Sequence, residues 1–438
     1  MSVNNEKMIE ETHKETHIEE IKPRVDYSGS HAKTDAAEIK LVRKLDIWIL
    51  PILWLMYWLN FLDRNAITIA RLDGLEKELK ITGVQYQTCI SLLFVGYILG
   101  QVPANMLITR LRPSLFMCFW MGAWAVIFYT RKEVATRVAI LFSANICGTA
   151  FAGLIAIGIF KMSGIADLSG WRWMFILQGL VTFVVAILGC FILPDEPHNT
   201  RWLSEDERKL AHDRVARETV ERYDGTTTWA GLVDCCKDKK LWLFLAYGHV
   251  TFAASNFKNF FPTIVATLGY NRTITLALTC PPYLLAAVAS VAWSWNSGRM
   301  NERCWHITIA KLIGVVGFVM AAATLNTAAR YVAICLFCCG LYMQAGIGPG
   351  WVGATFGQTK EKRAVALAMS NTVNTIAPIY TSYLWIPSDA PRYDIPMAAS
   401  AAFSVLAIAM TWAIRYALVR ENRKIKQSNS EATIFHVY

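Results

Sequence analysis

Charge is what this chain has least of. Only 17% of its 438 residues are Asp, Glu, Lys or Arg, against 54% hydrophobic, and the apolar residues fall in long blocks that a soluble domain does not need. The first 44 residues contain no apolar stretch of the kind a cleavable secretory signal requires, and no amphipathic Arg-rich pattern of a transit peptide. The first apolar block is therefore expected to serve as its own insertion signal. No disulfide framework is implied, because Cys89, Cys147, Cys190, Cys280 and Cys335 lie inside apolar blocks. The Cys335-x-x-Cys338 pair, within an apolar helix, reads as packing rather than as a redox or metal site. His249 and His306 stand without a Ser/His/Asp, metal-ligating or nucleotide-binding motif, which argues against a membrane enzyme and against any bound cofactor.

What is present is a series of apolar blocks separated by basic gaps. A bilayer core of ~30 Å needs about 20 mostly apolar residues per helix, since lipid offers backbone groups no partner. Four blocks precede a polar stretch, near 45–62, 88–108, 138–160 and 173–193. Six follow it, near 241–261, 275–295, 306–325, 331–352, 365–386 and 397–417. A further block from Ser114 to Phe128 would be only ~22 Å long at 1.5 Å per residue, and basic residues flank it on both sides. It is expected to re-enter or lie in the interface. The expected organisation is a disordered tail over 1–44, an incomplete first half over 45–193, a central linker over 194–240, a six-helix half over 241–417 and a tail over 418–438. The net charge of +10 resides mainly in the gaps. It is a topology signal, placing both termini and the linker in the cytoplasm, and does not call for a nucleic-acid partner.

The polar residues inside the blocks are the candidates for chemistry. Asn60, Asp63 and Arg64 lie on a helix that would run ~40 Å from Lys44 to Arg71, so the charged pair sits in the outer half of the membrane or in a wet cavity. Ionisable groups at such depth are costly and mark function. Arg64 suits a carboxylate, because its planar fork donates bidentately and stays charged. Asp63 could take up a proton if partly desolvated. The alternative is an ion pair at the helix end. Asn256 and Asn259 flank Lys258 at the corresponding place in the second half, and Lys258 could equally reach the outer headgroups. Gln101, Gln178, Gln344, Asn371 and Asn374 are uncharged polar groups that either ligate solute or join helices. Helix breakers from Gly346 to Gly350 interrupt one block, as in moving or solute-lining helices.

Taken together, these segments resemble the anion:cation symporter branch of the major facilitator superfamily, in particular the fungal allantoate, nicotinate and vitamin permeases. The resemblance is carried by YWLNFLDRNAITIARLDGLEKEL from Tyr57, LFVGYILGQVPANMLITRLRPS from Leu93, YTRKEVATRVA from Tyr129, GWRWMFILQGL from Gly170, LPDEP from Leu193, CPPYLLAA from Cys280 and KRAVALAMSNTV from Lys362. It implies an all-α, polytopic membrane helical bundle of the major facilitator type. The bundle would have two pseudo-symmetric halves and about 10–11 apolar segments instead of 12, since about 40 residues, two crossings' worth, are missing before Tyr129. The lost chain would take in the end of the third span and the whole fourth, with its acidic coupling residue. The implied function is secondary active transport of small organic anions (carboxylate, vitamin or ureide) by alternating access with proton symport. The alternative is a transport-deficient splice product or nutrient sensor on the same scaffold. A monomer in the plasma membrane is expected, with the lipid bilayer and the solute as partners and the proton gradient as driving force.

Overall fold

A computed structural model describes residues 36–108, 131–193, 200, 203–220, 228–356 and 360–428. Among them there are helices and turns and no strand. The first half contributes α1 (Ala36–Ala70), α2 (Gly83–Ile108), α3 (Arg131–Phe160) and α4 (Gly170–Ile192). The linker forms α5 (Glu205–Val220) and α6 (Thr228–Lys237). The second half follows with α7 (Lys239–Ala254), α8 (Phe261–Ala266), α9 (Arg272–Leu278), α10 (Cys280–Met300), α11 (Cys304–Ala323), α12 (Thr327–Met343), α13 (Ile347–Thr355), α14 (Lys360–Thr381) and α15 (Asp394–Ser428).

Charged side chains gather at the two ends of the bundle, as they must if the middle lies in lipid. One end carries Arg71 paired with Glu76 at 2.9 Å, Arg172 paired with Glu78 at 2.6 Å, and the ion pair of Asp73 with Arg272. The other, the linker end, carries Lys44 with Glu207 at 2.6 Å, Lys240 with Glu421 at 2.7 Å and Lys362 with Asp234 and Asp238, each at 3.2 Å. The hydrogen bond from the Lys44 ammonium holds the Glu207 carboxyl below its ordinary value. Seven described helical stretches are long and apolar enough to cross a bilayer. Of the ten expected blocks, three are not among them: α2, whose side chains are described only from Gly83 to Leu99, α7, which gives way to a 3-10 segment at Ser255, and α14, which is rich in Thr, Asn and Lys. Two other boundaries differ. Residues 36–44, expected in the tail, are already helical, because Leu41 and Val42 bury against the bundle. The last helix runs on to Ser428, past the expected boundary at 417. The central linker forms α5 and α6. The short block from Ser114 to Phe128 lies outside the described residues.

Within the first half α1 packs on α3 and α4, and within the second α7 packs on α14 and α15, and α11 on α12 and α15. The most extensive contacts between halves are α2 with α14 and α3 with α10, and α3 also meets α9 and α1 meets α8. The second and third helices of one half thus each meet the complementary helix of the other, which is what a pseudo-twofold axis requires. The two first-half helices differ in how they do so. Tyr86, Ile90 and Phe94 of α2 are buried in the second half's core with Phe260, Tyr283 and Phe337, whereas α3, among its described residues, places only Ala150 there and keeps Ala152 and Ala156 in its own half's core. At the Asp73 end the halves are tied by Gln87 Nε2 donating to the Trp385 carbonyl at 2.6 Å, Ser91 Oγ donating to the Ile379 carbonyl at 2.8 Å, and Thr88 bonded to the Tyr383 hydroxyl at 3.1 Å. Asn271 of the Asn271-Arg272-Thr273 sequon is exposed at this end and caps α9, its Oδ1 accepting from the Ile274 amide at 2.9 Å.

Candidate solute site between the halves

Successive residues on a helix point about 100° apart, and this separates the two charged neighbours of α1. Asp63 faces α4, where Thr182 Oγ1 donates to its Oδ2 at 2.8 Å. Its Oδ1 is buried without a hydrogen-bond partner. Arg64 turns toward the second half, its guanidinium 4.9 Å from the centre of the Phe94 ring. Tyr57 and Tyr97 of the first half, and Tyr342 and Lys258 of the second, are close enough to interact with it electrostatically. The two residues do not form an ion pair with each other. By rise per residue, Asp63 lies ~28 Å along the helix from Lys44 and ~12 Å short of Arg71. That depth is inside the bundle, not at a helix end.

Asn65, the next residue on α1, donates to the Phe61 carbonyl at 2.7 Å and to Thr149 Oγ1 at 3.3 Å. It lines a small, partly open cleft, no larger than about one water, shared with Thr68, Thr149, Lys258, Thr279 and Tyr283. Lys258 is therefore directed into the space between the halves, not to the headgroups. It stands on the 3-10 segment Ser255–Phe260, which begins where α7 ends, and its Nζ lies 5.4 Å from the Phe252 ring centre.

The structure distributes the remaining candidates over three neighbourhoods. Asn259 donates to Asn256 at 2.6 Å, and Asn256 to Ser382 at 3.4 Å, tying the 3-10 segment to the end of α14. Gln344 accepts from the Tyr247 hydroxyl at 3.0 Å, and the helix breaks just there, between Met343 and Ile347. Gln178, one turn from Thr182 on α4, and Asn374 each have a buried side-chain oxygen without a hydrogen-bond partner. Asn60 and Asn371 are exposed. The side chain of Gln101 is outside the described residues.

Three features were not foreseen. Thr182 is an ordinary residue of an apolar block and gains significance only by lying opposite Asp63. His249, isolated in the sequence, has its Nδ1 2.9 Å from the Val373 carbonyl and its Nε2 2.9 Å from the Tyr380 hydroxyl. Since a carbonyl can only accept, Nδ1 carries a proton, and in the neutral imidazole Nε2 accepts from tyrosine. Lys311 is wholly buried in α11, and its Nζ has no hydrogen-bond partner. A lysine inside the 306–325 block was a visible signal. Among the described residues no cluster of His, Cys, Asp or Glu could hold a metal ion.

Comparison with known proteins decides the family. The model of the Major Facilitator Superfamily matches residues 121–382. The chain belongs to the Major Facilitator Superfamily. Other facilitator proteins align along most of their length. The chain is 28% identical to the MFS-type transporter cnsO of Penicillium expansum over 489 aligned positions, taking in all of this chain and 92% of that one. It is 25% identical to the high-affinity nicotinic acid transporter of Saccharomyces cerevisiae, with 92% of this chain and 82% of the relative covered. Among solved structures, a bacterial homolog of the human lysosomal transporter Spinster, in an inward-facing and unoccupied conformation, superposes with a TM-score of 0.64 at 14% identity. That likeness covers 88% of this chain and 98% of the other, and establishes the facilitator fold.

Proposed function

We propose that this facilitator protein is a secondary transporter of small organic anions, working by alternating access with proton symport and leaving its solute chemically unchanged. The observation that carries the reading is Arg64, a permanent cation inside the bundle that faces the opposite half, is ringed by phenols, and has no carboxylate partner among the described residues. A partly buried guanidinium without a counter-ion is a strong site for a carboxylate. Asp63, with one oxygen on Thr182 and the other unsatisfied, is the proton carrier. A likeness to a nicotinic acid transporter fits a carboxylate solute. The linker end is cytoplasmic in this reading, by its Lys and Arg content, and the protein acts as a monomer in the plasma membrane with no resident cofactor.

One observation favours a second reading, a transport-deficient product or sensor on the same scaffold. The alignment with the Penicillium transporter runs over 489 positions although the chain has 438 residues, so at least 51 positions of the alignment have no counterpart here. A shortfall of that size supports the loss of the end of the third span and the fourth.

Uptake into proteoliposomes of a carboxylate panel including nicotinate, with and without an imposed pH gradient, tests both readings. Arg64→Lys is expected to lower uptake about tenfold or more, because one ammonium replaces a bidentate fork; unaltered uptake would remove Arg64 from the site. Asp63→Asn is expected to abolish accumulation driven by the gradient while leaving exchange. No uptake by the unaltered protein, with the protein folded, favours the second reading.

A further inference from the structure

One side of α15 is exposed from its apolar middle to its basic end. At about 100° per residue, Val405, Trp412, Tyr416, Arg420 and Arg423 fall within ~80° of one another, and all five are exposed, while Ala407, Ile414 and Leu418 on the opposite side are buried. This stripe passes from aliphatic through aromatic to cationic, the order in which a leaflet passes from tails through interface to headgroups. Trp412 fixes the level of the interface. It meets Trp305 of α11 edge to face at 4.9 Å between ring centres, and the exposed Trp295 of α10 stands at the same height, since Asn296 Nδ2 beside it is 3.3 Å from His306 Nε2. Arg420 lies ~12 Å and Arg423 ~17 Å beyond Trp412 along the axis. An ordinary headgroup layer is only about 5–8 Å deep in each leaflet.

The nearby acids are already paired. Glu421, the single acid between Ile395 and Ser428, lies on the other side of the helix and pairs with Lys240 at 2.7 Å, and Glu302 of the turn between α10 and α11 pairs with Arg415 at 3.0 Å. Among the described residues Arg420, Arg423 and the adjacent, exposed Lys424 have no acidic partner. Membrane topology asks for positive charge at this end. It does not ask that the charges share the exposed side of one helix, or that they stand above the headgroup layer.

We infer that the basic end of α15 binds a polyphosphorylated inositol lipid of the adjacent leaflet, its ring phosphates held by Arg420, Arg423 and Lys424 and its acyl chains lying along the side that carries Val405. Guanidinium forks match phosphate oxygens bidentately. Height selects the lipid. Phosphatidylserine carries its charge within the ordinary headgroup layer, below these cations, whereas an inositol ring lifts its extra phosphates above it. The inference takes the linker end as cytoplasmic, the side on which anionic lipids gather, and is independent of what the bundle transports.

Purified full-length protein in an uncharged detergent is titrated into short-chain phosphatidylinositol bisphosphate with a fluorophore on one acyl chain, and binding is read as anisotropy. Unlabelled lipid, phosphatidylserine and free inositol trisphosphate serve as competitors. The bisphosphate is expected to bind at least about tenfold more tightly than phosphatidylserine. Arg420→Gln, Arg423→Gln and Lys424→Gln together should weaken it at least about tenfold with the melting temperature unchanged, whereas Arg392→Gln, at the Asp73 end, should leave it as it was. An unchanged affinity in the triple variant, or phosphatidylserine that competes as well as the bisphosphate, overturns the inference. So does no binding at all. Free inositol trisphosphate competing as strongly as the unlabelled lipid overturns the lipid as occupant and leaves a site for soluble phosphates in its place.

Discussion

Lys311 has 0% of its surface exposed and no acceptor for its Nζ. Burying a polar group without a hydrogen bond is unfavourable by about 1–3 kcal/mol in protein mutational data, and methionine has a similar length and no such requirement. Lys311→Met is therefore expected to stabilise the protein in detergent by about 1–3 kcal/mol, read as a higher melting temperature. A lower one would mean that the ammonium has a partner in the folded protein. The same residue shows what the sequence makes legible at this scale. A charged side chain within an apolar block is visible wherever it occurs, and Asp63 and Arg64 were found that way. Its partner is not visible, because Thr182 is 119 positions from Asp63 and Tyr380 is 131 from His249. Nor is direction: Asp63 and Arg64 look like a pair in sequence, and only the helical turn between them sends one to α4 and the other to the second half.

Helix contacts follow small residues. A Cβ on Gly340 of α12 would meet the backbone of Gly314 and stand 2.6 Å from the Ala310 carbonyl oxygen, both on α11. Close approach of this kind replaces the hydrophobic effect as the adhesive between helices in lipid. Gly340→Ala is expected to destabilise the second half by about 1–3 kcal/mol, measurable as a lower thermal midpoint, whereas Gly350→Ala, where nothing lies within 4 Å, should be close to neutral. Equal effects at both positions would argue against tight α11–α12 packing. Block lengths in the sequence located these helices, because the bilayer fixes how much apolar chain a crossing needs. Their ends were less legible. The helical start at Ala36 depends on Leu41 and Val42 finding apolar neighbours, and the halt of α7 at Ser255 depends on a 3-10 segment tied through Asn256 to Ser382.

At the scale of the molecule, the ties between halves at the Asp73 end form a lock. Gln87, Ser91 and Thr88 of α2 all bond to the end of α14 or the segment after it, and Asp73 pairs with Arg272. Under alternating access, these bonds break whenever that end opens. Gln87→Ala combined with Ser91→Ala is expected to raise, by about thirtyfold, the rate at which a cysteine placed at Asn65 is labelled from the Asp73 side, since each hydrogen bond is worth about 1 kcal/mol. An unchanged rate would show that the lock lies elsewhere. The consequence reaches equilibrium measurements as well. At about 1 kcal/mol per bond, the three hydrogen bonds alone hold the open form to roughly one molecule in a hundred. A ligand presented from the Asp73 side then binds with an apparent Kd equal to the intrinsic constant divided by that fraction. Half-saturation from that side reports the strength of the bonds to Trp385 and Ile379 as much as the chemistry of the binding site itself.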